Sequence, residues 1–403
     1  MSRTTFALSL LLVGVSGLAY ACGDIGASAF DSRGDEGSKP SEPNAGGTAS
    51  DASAASPNRE DEPLVDNAVI LVHAAKSQAF RLCFGAKDEV DRRPQPDSEV
   101  MPEANVVGVE VGAAVRIGPL SGKPGDVYLF EEPLIRAYYP AFGGAGQGPK
   151  CSDLLASPSL GALAIKIGTV DVDLSKGVHL LVVKGCPANS PLRTFDVGQC
   201  GADWTDAKGN LAVKEVGLSG IKRSSADVLP AQVVNLSQQL DSQRAGRSLV
   251  VSFGNADDTG APRVAVATNP VLFGDPSPTS PARLSYTSSD TAIYETLGFR
   301  VAFATNPPDA GADAGSDGGT VVTTVLDQSL ARIQKVSSPR DVPPTYFAAA
   351  SSFALLLLGD PAVAPDAGAD EERQGLHFIA IPIALPKIDA GPPPAPEEPV
   401  DGG

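Results

Sequence analysis

The sequence has few histidines, which limits the metal and catalytic sites that it can build. In 403 residues it has three, His73, His179 and His377, each in or beside an apolar run. None has a partner at the close spacing of a zinc site, and the chain has neither an H-E-x-x-H helix nor a G-x-S-x-G elbow. We expect strand histidines bonded to the backbone, with a metal shared by His73 and His179 as the minority interpretation. The sequence thus predicts no metal, no cofactor and no catalytic residue, and a protein that is not an enzyme.

Positive charge is also scarce. Lys and Arg number 31 against 48 Asp and Glu, for a net charge of −17 at pH 7. The acidic surplus lies mainly in three segments of biased composition, residues 23–65, 309–319 and 365–403, and the rest of the chain is close to neutral. Because no basic patch is present to contact phosphates, a nucleic-acid partner is excluded.

Long apolar runs are missing except near the start of the chain. Residues 6–18 form an apolar run of thirteen residues, with Arg3 before it. That is shorter than the roughly 20 residues of a membrane-spanning helix but typical of a signal peptide. Ala19-Tyr20-Ala21 then precedes Cys22. We therefore predict that residues 1–21 are a signal peptide cut off before that cysteine.

Cys22 is predicted to carry a lipid. Residues 18–22 resemble a bacterial lipoprotein box, and removing Cys22 from the five cysteines leaves an even set of four. The alternative is plain secretion with an unpaired thiol at the N-terminus. The lipidated form would have the membrane as a partner, and Gly23 is compatible with the outer membrane, at the cell surface or on the periplasmic face.

Glycine and proline are abundant and aromatic residues are rare. A chain with 42 Gly, 35 Pro and only 5% aromatic residues favours turn-rich β structure over a helical enzyme. Residues 22–65 are predicted to be the lipidated cysteine and a disordered tether, and residues 387–403 a disordered tail rich in proline and acid. Helical periodicity is limited to Leu326, Leu330 and Ile333, enough for one short helix.

Short apolar runs separated by turn residues fill the middle of the chain and predict an all-β protein. In the first half they lie at residues 69–72, 80–84, 106–117, 127–130, 134–139, 162–167 and 179–183. We expect two tandem antiparallel β-sandwich units of Ig-like type, residues 66–200 and 205–386. The second is expected to contain a disordered insertion at 305–320 and a loop at 362–374.

Three similarities indicate that the second unit repeats the first. Residues 84–85 recur at 253–254, residues 163–165 at 330–333, and residues 179–187 at 354–361. The three offsets agree within a few residues, which favours duplication of one module.

Two short motifs carry a family resemblance. The first strand run ends in Val-His-Ala at residues 72–74, and a late run ends in Gly-Asp-Pro at residues 359–361. Both are similar to motifs of a bacterial extracytoplasmic family catalogued as domain of unknown function 4397, whose members often occur in tandem. In place of the family's usual Ser-Pro-Asp-Ala-Pro, this chain has Ala-Lys-Ser-Gln-Ala at residues 75–79. The resemblance covers roughly residues 66–385 and implies β-sandwich modules without an established activity.

One glycine-rich segment comes close to a phosphate-binding loop. In residues 143–150, Pro149 removes an N–H that such a loop uses, and Cys151 stands where Ser or Thr binds magnesium. We predict a flexible hairpin loop there.

Carboxylates offer weaker candidates. The Asp-rich insertion at 309–319 spaces its acids by four residues, whereas calcium loops place them at every second residue, so a linker is expected. The pairs Asp171/Asp173 and Asp88/Glu89 could act in acid–base chemistry only if a cleft raised a pKa.

The four remaining cysteines, Cys83, Cys151, Cys186 and Cys200, are predicted to form two disulfides, because an exported compartment is oxidising. Three pairings are possible. We favour Cys83–Cys151 with Cys186–Cys200, the latter closing a short loop worth about 3 kcal/mol in the chain-entropy model. Cys83–Cys186 with Cys151–Cys200 is the rival pairing, and four unpaired thiols are the remaining alternative.

These features together predict an exported, membrane-anchored and monomeric lipoprotein. We expect its two modules to bind an unknown protein or polysaccharide ligand, or to have a structural role in the cell envelope. Two alternatives stay open. One is a hydrolase of envelope polymers with a carboxylate site, and the other is a calcium-dependent adhesin.

Overall fold

The unbroken apolar runs of the sequence become strands that are buried on both faces, as is typical of strands covered by a layer on either side. The computed structural model describes residues 67–85, 100–102, 108–118, 120, 122–138, 150–188, 199–225, 227–243, 247–255, 264–267, 271–285, 295–305, 321–336, 338–341, 346–349, 351–363 and 374–384. All of these residues belong to one compact unit, residues 57–403.

The described residues are mostly β-strand, which confirms the all-β fold class. The first half of the unit contains β1 Asn67–His73, β2 Phe80–Gly85, β3 Ala114–Gly118, β4 Gly125–Glu131, β5 Ile165–Val170, β6 Gly177–Lys184 and β7 Ala212–Leu218. The second half contains β8 Val228–Asn235, β9 Ser248–Asn255, β10 Val264–Ala267, β11 Pro276–Ser285, β12 Leu297–Ala304, β13 Val321–Ser329, β14 Gln334–Lys335, β15 Ser338–Asp341, β16 Ser352–Leu358 and β17 His377–Ile383.

The helices are short. They are α1 Glu132–Tyr138, α2 Cys151–Ala156, α3 Pro158–Gly161, α4 Gln238–Ser242, a 3-10 turn Leu330–Arg332 and α5 Tyr346–Ala349. None of the described helices is long and apolar enough to cross a membrane.

The strands form four sheets. In the first half, sheet I has the order β3-β1-β6-β7 and sheet II the order β2-β4-β5. In the second half, sheet III has the order β11-β8-β16-β17-β14-β15 and sheet IV the order β10-β9-β12-β13. The two halves therefore each contain two sheets, as a sandwich does.

Three apolar cores place the sheets in the sequence II–I–III–IV. One core joins sheets II and I and contains Leu82 and Leu181, and another joins sheets III and IV and contains Leu355 and Phe299. The third joins sheets I and III and is made of alternate residues of both, such as Leu180. The two tandem units predicted from the sequence thus share a core.

The sheets are mixed, which corrects the expectation of purely antiparallel sandwiches. β1 runs parallel to β6, and β8 runs parallel to β16. Parallel neighbours need a long connection, and here that connection passes through the other sheet of the same half. Strand order and direction are the same in the two halves for β3-β1-β6-β7 and β11-β8-β16-β17, in agreement with a duplicated module.

Two details of the predicted repeat change. β7 pairs with β6, so residues 212–218 belong to the first half, beyond the predicted boundary at 200–205. Of the three sequence similarities, the one between residues 163–165 and 330–333 does not join equivalent elements. Residues 163–165 lead into β5 of sheet II, whereas residues 330–333 follow β13 and lead to sheet III.

Two local assignments from the sequence are wrong. Residues 134–138 form most of α1, not a strand, because this segment covers the outer face of sheet II, where Ile135 packs against Phe130. The residues with helical periodicity, Leu326 and Leu330, lie in β13 and in a single 3-10 turn.

Candidate functional site

Polar side chains gather where the parallel strands of sheets I and III finish, which we call the junction end. β1 finishes there at His73 and β8 at Asn235. Gln238, just after β8, donates from Nε2 to Ala74 O, just after β1, at 2.7 Å, so both strand pairs end on the same side. Loops held by rigid strands are a common place for binding residues.

A partly buried ion pair joins the two halves at the junction end. Lys76 Nζ lies 3.2 Å from Asp360 Oδ2, and Gln199 Nε2 donates to the same oxygen at 3.2 Å. Ala362 N donates to the other carboxylate oxygen at 2.9 Å, and Asp360 is only 4% exposed. With three donors, this carboxylate fastens the chain after β16 to the first half. The sequence showed Asp360 only as part of a motif, because its partners are distant in the chain.

The halves also contact each other through equivalent elements. His377, on β17, reaches the turn before β3, where its Nε2 lies 2.9 Å from Gly112 O. Lys214, on β7, reaches the turn before β11, where Nζ donates to Phe273 O at 3.0 Å and to Asp275 Oδ1 at 2.8 Å. Since β17 corresponds to β7 and β11 to β3, the same pair of elements meets in both directions, through different residues. Such an arrangement resembles the self-complementary interface of a two-fold dimer.

His73 and Ser77 form a buried pair at the junction end of the first half. His73 Nδ1 lies 3.0 Å from Val109 O and must donate to it, so Nε2 accepts from Ser77 Oγ at 3.0 Å. Burial lowers the pKa of His73 to about 4, against a smaller raising effect of the hydrogen bond to Val109. The imidazole is therefore neutral at pH 7, and its weak basicity makes it a poor general base.

The second half has different groups at the matching place. Gly112 N donates to His73 O and Gly274 N to Asn235 O, which makes Asn235 the counterpart of His73. The residue four positions after Asn235 is Gln239. Asn235 Nδ2 and Gln239 Nε2 are buried without a hydrogen-bond partner among the described residues. The His–Ser pair is thus a feature of one half only.

The histidine prediction is confirmed for bonding to the backbone. Each ring lies within hydrogen-bond distance of a carbonyl oxygen, which belongs to Val109 for His73, to Lys176 for His179 and to Gly375 and Gly112 for His377. The structure does not bring His73 and His179 together. His179 is opposite Val69, four residues before His73, which puts the two side chains about 13 Å apart along the strands.

A buried arginine holds the beginning of α1 against sheet II. Arg81 is fully buried, and its Nε and Nη2 donate to the two oxygens of Glu132 at 2.5 and 3.1 Å. Arg136 Nε donates to Glu132 Oε1 at 2.7 Å, and Arg81 Nη1 donates to Pro102 O at 2.6 Å. Burial acts to raise the pKa of Glu132, but the hydrogen bonds and charges of the two arginines outweigh it and lower that pKa. This fully paired group is typical of a structural ion pair.

The pKa of the neighbouring carboxyl group, that of Glu131, is moved in the opposite direction. Glu131 pairs with Phe80 across the strands and is 5% exposed. Burial raises the pKa of Glu131. The two adjacent carboxyl groups therefore have pKa values moved in opposite directions, a difference that also occurs between the two carboxyl groups of acid–base sites. Nothing in the sequence distinguishes Glu131-Glu132 from a solvated pair of acids, so this pair could not be predicted.

The four cysteines are paired as favoured from the sequence. Cys83 bonds to Cys151 and Cys186 to Cys200, with Cα–Cα distances of 5.4 and 5.5 Å. The first ties β2 to α2 inside a small core on the outer face of sheet II. The second closes the loop after β6 at the junction end.

The other candidate residues from the sequence form no metal or catalytic site within the described ranges. The described ranges contain no group of three or more His, Cys, Asp or Glu able to hold a metal ion. Asp173 is exposed, and hydrogen bonds from Ser175 lower its pKa, the opposite of what an acid catalyst needs. Cys22, residues 86–99 with Asp88 and Glu89, and most of the loops at 143–150 and 305–320 lie outside the described residues.

No protein-family model matches this chain, and no curated protein matches it. The resemblance to the domain of unknown function 4397 therefore stays a prediction.

Proposed function

We propose that this chain is an exported, membrane-anchored protein of the bacterial cell envelope that presents a binding scaffold rather than a catalytic site. The observation that carries the proposal is the shared core between sheets I and III, which makes two sandwiches into one support for the junction-end loops. Its role is to hold those loops in a fixed arrangement for a ligand, as rigid β scaffolds commonly do.

The envelope location rests on the disulfides and on the N-terminal pattern. Two disulfides, Cys83–Cys151 and Cys186–Cys200, are typical of an oxidising, extracytoplasmic compartment. The apolar run 6–18 and the box ending at Cys22 support a lipid anchor in the outer membrane. With two or three acyl chains, this attachment would be stable.

The anchor is tested by replacing Cys22 with Ser. We expect the native protein to partition into the detergent phase and the Cys22→Ser variant to stay in the aqueous phase. Ser28→Ala, in the same segment, serves as a control and should behave as the native protein. Intact-mass analysis of the N-terminal peptide should show the lipid. An aqueous native protein without lipid mass on Cys22 would contradict the anchor.

The binding role is tested with the soluble Cys22→Ser protein and isolated cell envelopes. A binding protein should co-sediment saturably with the envelope material and release nothing from it. Release of soluble sugars or peptides would instead support a hydrolase.

A hydrolase of envelope polymers is the second candidate, favoured by one observation. Glu131 and Glu132 are adjacent and buried, and their pKa values are moved in opposite directions. In this proposal, Glu131 would be the proton donor. If released sugar falls to background in Glu131→Gln while binding is kept, the hydrolase replaces the binding scaffold.

A further inference from the structure

One exposed loop at the junction end is held far more firmly than a connection needs. It runs from Gln199 to Asn210, between the Cys186–Cys200 disulfide and β7. Asn210 links both cysteines, because its Oδ1 accepts from Cys186 N at 2.8 Å and its Nδ2 donates to Cys200 O at 2.7 Å. Asn210 Nδ2 also donates to Asp203 Oδ1 at 2.9 Å. We call residues 199–210 the stapled loop.

The backbone of the stapled loop is fixed as closely as its side chains. Gly209 has a φ of 61°, and a Cβ there would lie 2.4 Å from Ala188 N. Only glycine fits this approach. Gly209 N donates to Thr205 O at 2.7 Å, which closes a tight turn at the tip of the loop. These contacts restrain the backbone of the loop around Gly209.

The stapled loop contains Trp204, the only tryptophan of the chain. Its Nε1 donates to Pro187 O at 2.8 Å, which fixes the orientation of the ring. The ring is half-buried, so part of the indole lies in the surface at a set angle. A rigid aromatic side chain with its polar atom already bonded offers an apolar surface at little cost in conformational entropy.

The surroundings of Trp204 are polar. Asp203, Thr205, Asp206 and Lys208 are exposed and flank the ring in sequence. The residues next to Trp204 in the chain therefore offer hydrogen-bond donors and acceptors of both charges.

This composition fits a sugar better than a protein. A protein interface needs several apolar anchors packed together. The large exposed apolar residues of the described ranges are Val172, Val264 and Leu272, and none of them lies in the stapled loop. A pyranose ring has an apolar C–H face that stacks on one indole and a rim of hydroxyl groups that need donors and acceptors.

We infer that the stapled loop is a binding site for a pyranose polysaccharide, with Trp204 as its stacking platform. The inference rests on the proposed function and deepens it, since it names the surface and the ligand class of the binding scaffold. The first residue of the stapled loop also touches the second half, where Gln199 Nε2 donates to Asp360 Oδ2. The position of the platform is therefore fixed relative to both halves.

The single tryptophan makes the test direct. The full-length protein, purified from membranes in detergent, is titrated with glycan strands from bacterial cell walls, chitin oligosaccharides and a soluble β-glucan while indole fluorescence is recorded. We expect a saturable change in intensity with at least one of them. Trp204→Ala should weaken co-sedimentation with cell-wall material about tenfold or more, and Val172→Ala, at an exposed apolar side chain elsewhere, should leave it unchanged.

The outcomes separate this inference from the proposed function. In one outcome, the native protein binds envelope material without a change in indole fluorescence, and Trp204→Ala binds it equally well. This result would overturn the stapled loop as the binding site and leave the scaffold role intact. A fluorescence change caused only by an envelope protein overturns the ligand class. No binding to envelope material at all overturns both proposals. The titration of the native protein needs no variant, so a folding defect in Trp204→Ala does not affect it.

Discussion

At the residue scale, burial has opposite consequences for two neighbouring acids. Glu132 is surrounded by donors, and Arg81 and Arg136 more than offset the cost of removing it from water. For Glu131 burial is the cause of the shift, and the pKa of its carboxyl group is raised. The free energy of a buried carboxylate therefore depends on its partners, which a sequence does not show.

We predict that Glu131→Gln stabilises the protein at pH 7. The raised pKa means that stability falls as pH rises from the ordinary value of 4.5 through the folded-state pKa, because the folded state holds its proton longer. Glutamine removes the charge, and a gain on the order of 1 kcal/mol would raise the melting temperature by about 2–4 °C. The gain should vanish below pH 4.5, where the native residue is protonated in both states. Equal or lower stability at pH 7 would show that Glu131 has a partner.

Glu132→Gln is the matched variant with the opposite sign. It leaves the guanidinium of Arg81 buried with an uncharged partner, which costs about 3–5 kcal/mol when an ion-pair partner is removed. Since the pKa of Glu132 is lowered, its contribution is present above the ordinary pKa and is lost as pH falls through the lowered value. Urea unfolding at pH 7 and at low pH measures both effects. A loss below 1 kcal/mol at pH 7 would contradict the buried pair.

His73 should make the protein less stable in acid. Its pKa is about 4 when folded against 6.5 in the unfolded chain, so the unfolded state binds a proton that the folded state does not. Stability should fall by about 3 kcal/mol between pH 6.5 and pH 4. The slope of the unfolding free energy against pH reports the number of protons taken up on unfolding. His73→Asn, which places the residue of Asn235 at this position, should lower that number by one. Ser77→Ala loses the same hydrogen bond but should keep the slope, and an unchanged slope in His73→Asn would refute the assignment.

The contacts of single residues could be predicted from the sequence only in part. Backbone bonding of the histidines was predictable, because histidines in apolar strands need a polar partner and carbonyl groups are always near. The Arg81–Glu132 pair was not, because the two residues are 51 positions apart and become neighbours only through strand pairing.

At the element scale, strands were predictable where apolar residues run without interruption. The run at 354–358 gave β16, and the run at 179–183 gave β6. α1 was missed because its apolar and aromatic residues read equally well as a strand. The helix-start pattern of Glu132-Pro133, with Arg136 one turn on, was the available signal.

The two disulfides should differ in their effect on stability. Cys83 and Cys151 are 68 residues apart, and Cys186 and Cys200 are 14 apart. In the chain-entropy model, removing the disulfide that closes the longer loop lowers the free energy of unfolding by about 4 kcal/mol. Removing the disulfide that closes the shorter loop lowers it by about 3 kcal/mol. Cys83 and Cys151 also lie in an apolar core, which adds a cavity term. Urea unfolding of the two double Cys→Ala variants should give this order, and a reversed order would contradict it.

At the scale of the whole molecule, the packing of sheet I on sheet III decides the architecture. Strands that are apolar at every position must be covered on both faces, and the sequence showed that much for β1 and β16. It did not show what covers the second face. A helix, a second copy or the other half would produce the same apolar pattern, so the shared core could not be predicted.

The most direct test of the shared core is the thermal unfolding of Leu356→Ala. Leu356 lies in the second half with its side chain in the core between sheets I and III, whereas Trp204 reports on the first half. Leu→Ala in such a core costs about 2–5 kcal/mol, which lowers the melting temperature by roughly 4–20 °C. We predict one calorimetric transition, with the indole fluorescence midpoint lowered by the same amount. Two transitions, with the Trp204 midpoint unchanged in Leu356→Ala, would contradict a scaffold in which the halves share one core.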